Sequence, residues 1–127
     1  MPKWSDTYSV KVPAFDQDHK KLFAYVDELN DAMRQGKGDT VIADILNRAH
    51  LYTVQHFSRE EFWMSSHGVP QLAEHKALHQ KFVNDLEKLA QSHKNGSLMI
   101  SVQTCRFLNN WLSDHILGAD QKYACYA

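Results

Sequence analysis

His75-Lys76-Ala77-Leu78-His79 places two imidazoles four residues apart. On an α-helix that step brings both onto one side, one turn above the other. His56-Phe57-Ser58-Arg59-Glu60 repeats the step with an imidazole and a carboxylate. Upstream stands His19, and downstream His115-Ile116-Leu117-Gly118-Ala119-Asp120. This set of histidines and carboxylates occupies four segments, so four helices must converge for it to meet. The spacing predicts a buried two-metal site in a helical bundle.

The segments between these residues carry the matching pattern. Pro13 closes an N-terminal arm, and Gly36-Lys37-Gly38-Asp39, Gly68-Val69-Pro70 and Asn95-Gly96-Ser97 separate the rest. Each separator is a short loop with turn chemistry, as antiparallel helical neighbours need. Between them apolar residues recur every three or four positions: Leu22, Val26, Leu29, Met33; Ile42, Ile45, Leu46, Ala49; Phe82, Leu86, Leu89; Leu98, Cys105, Leu108, Leu112. That is the amphipathic-helix period. The expected fold is all-α: an antiparallel up-down-up-down four-helix bundle, one domain over 1–127. The arm covers 1–15 and the helices lie near 17–35, 40–65, 71–92 and 98–117.

His56 and Glu60 continue the apolar stripe of the second helix, His75 and His79 that of the third, and His115 that of the fourth. Buried imidazoles and carboxylates are costly unless partnered. A metal cluster partners them together, because ligand bonds replace hydration. Seven ligands exceed the four of a structural zinc site. The His-Glu-x-x-His protease pattern is absent, since Lys76 follows His75. Glu60 and Asp120 can each bridge two ions. With one oxo or hydroxo bridge added, an octahedral pair keeps a single open position. Such nitrogen- and oxygen-rich octahedral ligation suits iron, with manganese next. Carboxylate-rich di-iron bundles use Glu-x-x-His pairs, and none occurs in this chain. A nitrogen-rich site is less suited to cleaving dioxygen than to binding it.

Composition adds limits. Fourteen basic against fifteen acidic side chains give a net charge of -1, which is no electrostatic footprint for nucleic acid or an anionic membrane. No apolar run resembles a signal peptide or a membrane span. Two cysteines are too few for a disulfide scaffold: Cys105 sits at a core spacing, and Cys125 near the end of the sequence. A cytoplasmic protein is expected. Ser58-Arg59-Glu60-Glu61 and Glu87-Lys88 are expected as solvated faces, Glu60 excepted. His50, His67 and His93 fit no ligand spacing. Trp4 and Tyr8 are expected to anchor the arm, and Tyr123 and Tyr126 to pack beyond the last ligand.

The whole chain resembles the hemerythrins, specifically the single-domain bacterial ones. The matching residues are Asp16-Gln17-Asp18-His19, His56-Phe57-Ser58-Arg59-Glu60-Glu61, His75-x-x-x-His79 and Trp111-Leu112-Ser113-Asp114-His115-Ile116-x-x-x-Asp120. The resemblance implies two iron ions per chain with an oxo or hydroxo bridge. His75, His79 and His115 would bind the coordinatively full iron, and His19 and His56 the one with the vacancy. Glu60 and Asp120 would bridge the pair. Dioxygen would bind reversibly at the vacancy, for carriage, storage or delivery. The bridge would supply the proton, so no protein acid or base is implied. Resemblance and helical spacing together nominate Leu22, Phe57, Trp111, Leu112 and Ile116 as the wall of a small dry pocket.

Two positions depart from the family pattern. Asp18 stands where the family commonly has Gln or Glu, which leaves the role of that side chain open. The step from His115 to Asp120 is five, not four, and on an ideal helix puts them about 140° apart. A helix end or local widening after His115, permitted by Gly118, is expected. The expected partner is dioxygen, with an oxygen-using enzyme or a reductase beside it. Neither nucleic acid nor a membrane is expected, and the chain is read as a monomer and not an enzyme. The alternatives are a di-iron peroxidase, oxidase or nitric oxide reductase, or an oxygen sensor.

Overall fold

The computed structural model describes residues 4–96 and 100–127, apart from the side chains of Asp39 and Ser101. Four long helices carry the apolar stripes: α1 Pro13–Arg34, α2 Gly38–Ser66, α3 Leu72–Lys94 and α4 Ile100–Asp114. A wider turn, His115–Asp120, and a short α5, Gln121–Ala124, complete the chain. A stripe of this kind is stable only against other stripes. α1 packs on α2 and α4, and α3 on the same two, so the four helices form the expected bundle. Leu29, Ile42, Ile45, Phe82, Leu86 and Leu112 fill its core, each almost wholly buried. Cys105 is buried and Cys125 exposed, both as free thiols. Among the described residues no helix is long and apolar enough to cross a membrane.

The ends of the elements differ from the sequence expectation in instructive ways. α1 opens at Pro13, not near 17, so the arm ends at Val12 and not at 15. Proline lacks an N–H that the first turn leaves unpaired anyway, and its φ is already helical. It starts the helix instead of merely closing the arm. α2 and α3 run past the expected 65 and 92, to Ser66 and Lys94, because each continues to a glycine with positive φ. At Gly68 (φ 65°) the turn closes with Gly68 N–H donating to the Ser65 carbonyl and Val69 N–H to that of Met64. These are the paired hydrogen bonds of a Schellman cap, which favours glycine. The fourth segment does not stop near 117 but stays helical to Ala124. The expected start at 98, Leu98 of the stripe, Ser97 of the third separator and residues 1–3 of the arm lie outside the described residues.

The arm is tied down at both ends. Tyr8 sets its ring edge on Phe23 with centroids 5.0 Å apart, and Trp4 approaches the same ring at 6.2 Å. Asp16, in the first turn of α1, accepts hydrogen bonds from Ser9 Oγ at 2.7 Å and from Val10 N–H at 2.9 Å. Gln121 Nε2 donates to the Ser9 carbonyl at 3.0 Å, joining the arm to α5. Val10 is thereby fully buried. Asp16→Ala should cost about 1–3 kcal/mol, since two hydrogen bonds to the arm go together. Denaturant unfolding of the metal-loaded protein measures this, with metal content unchanged.

Candidate metal centre

Each donor side chain reaches the middle of the bundle because it sits where an apolar residue would. His56 and Glu60 extend the buried face of α2 beyond Ala49 and Thr53, and His75 and His79 that of α3 toward Phe82 and Leu86. His19 precedes Leu22 by one turn on α1. His19, His56, Glu60, His75, His79, His115 and Asp120 are all buried.

The structure brings all seven together as two groups. Glu60, His75, His79, His115 and Asp120 offer donor atoms within 4.8 Å of one another, and so do His19, His56 and Glu60. The carboxylates span the two. Glu60 Oε1 lies 2.7 Å from His75 Nε2 and 2.9 Å from His79 Nε2. Its Oε2 lies 3.1 Å from His56 Nε2. Asp120 Oδ1 lies 2.8 Å from His75 Nε2 and 2.9 Å from His115 Nε2, and Oδ2 lies 3.2 Å from His19 Nε2. His19 Nε2 and His56 Nε2 face each other at 3.1 Å.

Hydrogen bonding does not account for this crowding. His79 Nε2, His115 Nε2 and both oxygens of Asp120 are buried without an aligned hydrogen bond among the described residues. Donor atoms so close yet not aligned with one another face shared points between them. A buried carboxylate left in that condition is expensive. Imidazole and carboxylate donors converging in this number fit a pair of octahedral ions such as iron.

Asp120 reaches the group through the widened turn. Residues 115–120 form a π-helical turn, whose i→i+5 bonding carries positions five apart onto one side. That is the widening the five-residue step requires. Gly118 does not enable it. Its φ is not among the positive values, and a Cβ placed there would meet nothing within 4 Å.

A second layer of contacts holds the imidazoles from behind. His56 Nδ1 donates to Asp18 Oδ2 at 2.8 Å, and Tyr52 OH donates to Asp18 Oδ1 at 2.8 Å. Arg59 Nη2 lies 2.9 Å from Asp18 Oδ2. The position whose role the sequence left open therefore fixes the ring of His56. Burial works to raise the Asp18 carboxyl, but the hydrogen bonds from His56, Arg59 and Tyr52 prevail and hold it well below the usual range. His79 Nδ1 donates to Glu61 Oε2 at 2.7 Å. Tyr123 OH donates to Glu60 Oε2 at 2.8 Å. Burial, reinforced by the charges of Glu60 and Asp120, pushes that phenol far above 10, so it stays a donor.

Three expectations are corrected here. Arg59 and Glu61 are not merely a solvated face, because each pairs with a group around the centre. Tyr123 does more than pack beyond the last ligand. Its signal was available: it follows Asp120 by three residues, on the same side of a helix. Arg59 and Glu61 flank Glu60 by single residues, and a helical period places such neighbours about 100° away, so nothing in the stripe pointed to them.

Of the nominated wall, Leu22, Trp111 and Leu112 line an apolar interior cavity of about 10 Å³, together with Tyr25, Ala49, Phe82 and Leu108. Phe57 stacks flat on His79 at 3.7 Å and 5°, and Ile116 is fully buried. Neither of these two lines that cavity.

A four-helix bundle enclosing paired donor groups that share a carboxylate defines a di-metal bundle protein. The chain belongs to the hemerythrin family: residues 10–127 match the Hemerythrin HHE cation binding domain. It is 32% identical over 116 residues to a bacteriohemerythrin of Methylococcus capsulatus, covering 91% of this chain and 88% of that protein. It is 28% identical to a myohemerythrin of Theromyzon tessulatum, covering 95% and 89%. A solved wild-type hemerythrin superposes with a TM-score of 0.87 at 30% identity, covering 98% of this chain and 96% of the other. The function is that of the family, dioxygen binding at a di-iron site, and the buried histidines and acids are positioned to hold the metal.

The donor set also fixes how the metal-free protein responds to pH. Burial works to lower the His56 imidazole, but the charge of Glu60 and the hydrogen bond to Asp18 push it up to about 9. At His75 burial likewise opposes, and hydrogen bonds to Asp120 and Glu60 raise it to about 9. A raised value means that the folded state holds the proton more tightly than the unfolded chain. That stabilisation is complete below the ordinary 6.5 and disappears as pH rises through about 9. Metal-free protein should therefore melt at a lower temperature at alkaline pH than near neutrality. Scanning calorimetry across this window checks it.

Proposed function

We propose that His75, His79 and His115 ligate one iron, His19 and His56 the other, and that Glu60 and Asp120 bridge them. The observation carrying this reading is the span of the two carboxylates. One oxygen of each faces the group of three histidines, and the other faces the group of two. The pair His19 and His56, with fewer imidazoles, would hold the iron that keeps an open position. The chemistry that the metal pair supplies there is reversible electron donation to dioxygen.

The protein's part is to bind, exclude and steady. Asp18 holds the His56 ring, Glu61 holds that of His79, and Tyr123 donates to the bridging Glu60. The Nδ1 atom of His19 is buried without a partner among the described residues, so that ring is held by packing. Leu22 follows His19 by one turn and Leu112 precedes His115 by one turn. Together with Trp111 they line an apolar cavity, so that it begins one helical turn from those two histidines. Its volume, about 10 Å³, is close to one water-sized sphere. That size and lining favour a diatomic gas over an organic substrate and support carriage over enzymatic turnover. Phe57 stiffens His79, and Ile116 seals the core beside His115. The residues act as one hemerythrin-like domain over 1–127, working as a cytoplasmic monomer, with an oxygen-using enzyme or a reductase as its partner.

Anaerobically reduced protein should gain a visible charge-transfer band in air and lose it on degassing, over repeated cycles. Immediate irreversible oxidation removes the carrier reading. Glu60→Ala should lose both irons, as metal analysis will show, because a bridge and a partner of three imidazoles disappear together. Asp18→Asn should keep the fold but weaken metal retention about 10–100-fold, as competition with a chelator measures, since a positioning carboxylate is lost.

A further inference from the structure

Between α3 and α4 lies a groove of about 630 Å³, open to solvent and separate from the interior cavity. Its volume is that of a site for an organic molecule. Its floor is a chain of aromatic rings. Phe107 lies against Phe82 with centroids 5.3 Å apart and 19° between planes. Phe82 meets Trp111 at 4.2 Å, and Trp111 stacks on His115 at 4.2 Å and 12°. The groove thus leads, ring by ring, from solvent to an imidazole of the metal group. Gly118 on its wall leaves open the space that a side chain would take.

The rim selects the occupant. Lys81 is paired with Asp85 at 2.8 Å, while Lys122 and Asp114 carry no ion pair among the described residues. Two cations balance two anions, so the rim offers donors and acceptors but no net field. A planar uncharged ring with both N–H and C=O groups on its edge satisfies both the stacking floor and this rim. We propose that the groove binds a fused heteroaromatic two-electron carrier of the isoalloxazine class, whose electrons pass through Trp111 to His115. The dihydro form loses two electrons and two protons and becomes the oxidised ring. With a metal pair held by the donor set, the route through Trp111 and His115 would lead one electron to each ion, and the protons pass to water. Such delivery would keep a bound metal pair in the reduced state that dioxygen binding requires. The electron route rests on His115 as a ligand, as proposed above, whereas binding in the groove does not.

The probe is riboflavin, the uncharged ring system without phosphate. Purified oxidised protein should retain it one to one in ultrafiltration. Phe107→Ala, which removes floor, and Asn110→Trp, which fills the groove from an exposed position, should each weaken retention by at least about tenfold. Metal content and helical circular dichroism report that both variants remain folded. Under anaerobic conditions Asn110→Trp should slow reduction of the ferric protein by photoreduced riboflavin about tenfold, with reduction by dithionite unchanged. No retention, or equal retention by Asn110→Trp, overturns the site. Retention without the selective slowing overturns the electron route. A protein that binds riboflavin but shows no reversible oxygen spectrum leaves the site standing and removes the carrier reading.

Discussion

Two fully buried carboxylates have to be compensated, and the bundle is arranged around that need. Taking an acid such as Glu60 or Asp120 out of water is tolerated only where each oxygen finds a partner. For Glu60 the partners arrive from α1, α2 and α3, and a hydroxyl comes from α5. For Asp120 they come from α1, α3 and the turn that follows α4. No helix can slide or rotate without unmatching one of these oxygens. Apolar packing between Leu29, Ile42, Phe82 and Leu86 makes a bundle, and the acids select one register among the bundles that packing would allow. Fold and site are therefore the same constraint seen at two distances from the centre.

The contacts behind the imidazoles extend this order outward. Asp18 gathers a ring nitrogen, a phenol and a guanidinium, so the half-exposed Arg59 is joined to the deeply buried His56 through one carboxylate. Glu61 accepts from His79 Nδ1 alone, at 2.7 Å. A ring held at Nδ1 presents Nε2 in one direction, which is what a ligand position asks of it. Among the described residues the His19 ring has no such tether. The two histidines of the smaller group thus differ in what faces Nδ1, and His19 lies a single turn from Leu22 of the apolar cavity.

Much of this was legible in the chain because burial and helical period leave marks in sequence. Helical period placed His56, Glu60, His75, His79 and His115 on core positions, His19 and Asp120 joined them only as members of one spaced set, and the five-residue step between His115 and Asp120 called for a helix end or a local widening. What escaped reading lies off the stripe. Asp18, Arg59 and Glu61 neighbour ligands in sequence, and their orientation depends on which helix lies alongside. Pro13 was read as an end because proline breaks helices, although its geometry also starts them. The aromatic groove escaped too: Phe82, Phe107 and Trp111 have core spacing, and only the separation of α3 from α4 shows that Phe107 and Trp111 are partly exposed while Phe82 is buried beneath them.

The π-helical turn has an effect beyond its own six residues. One additional residue in a helical repeat rotates all that follows by about 100°. α5 is accordingly out of phase with α4, although the two are continuous. On a regular helix Asp120 would stand about 80° from Leu112, and the wider turn brings it back to the inward side, where Tyr123 follows it three residues later. One widened turn thus turns an acid toward the histidines while the helix still runs on to the phenol of Tyr123; unwound to a regular pitch, the same six residues would carry Asp120 about 140° away from His115.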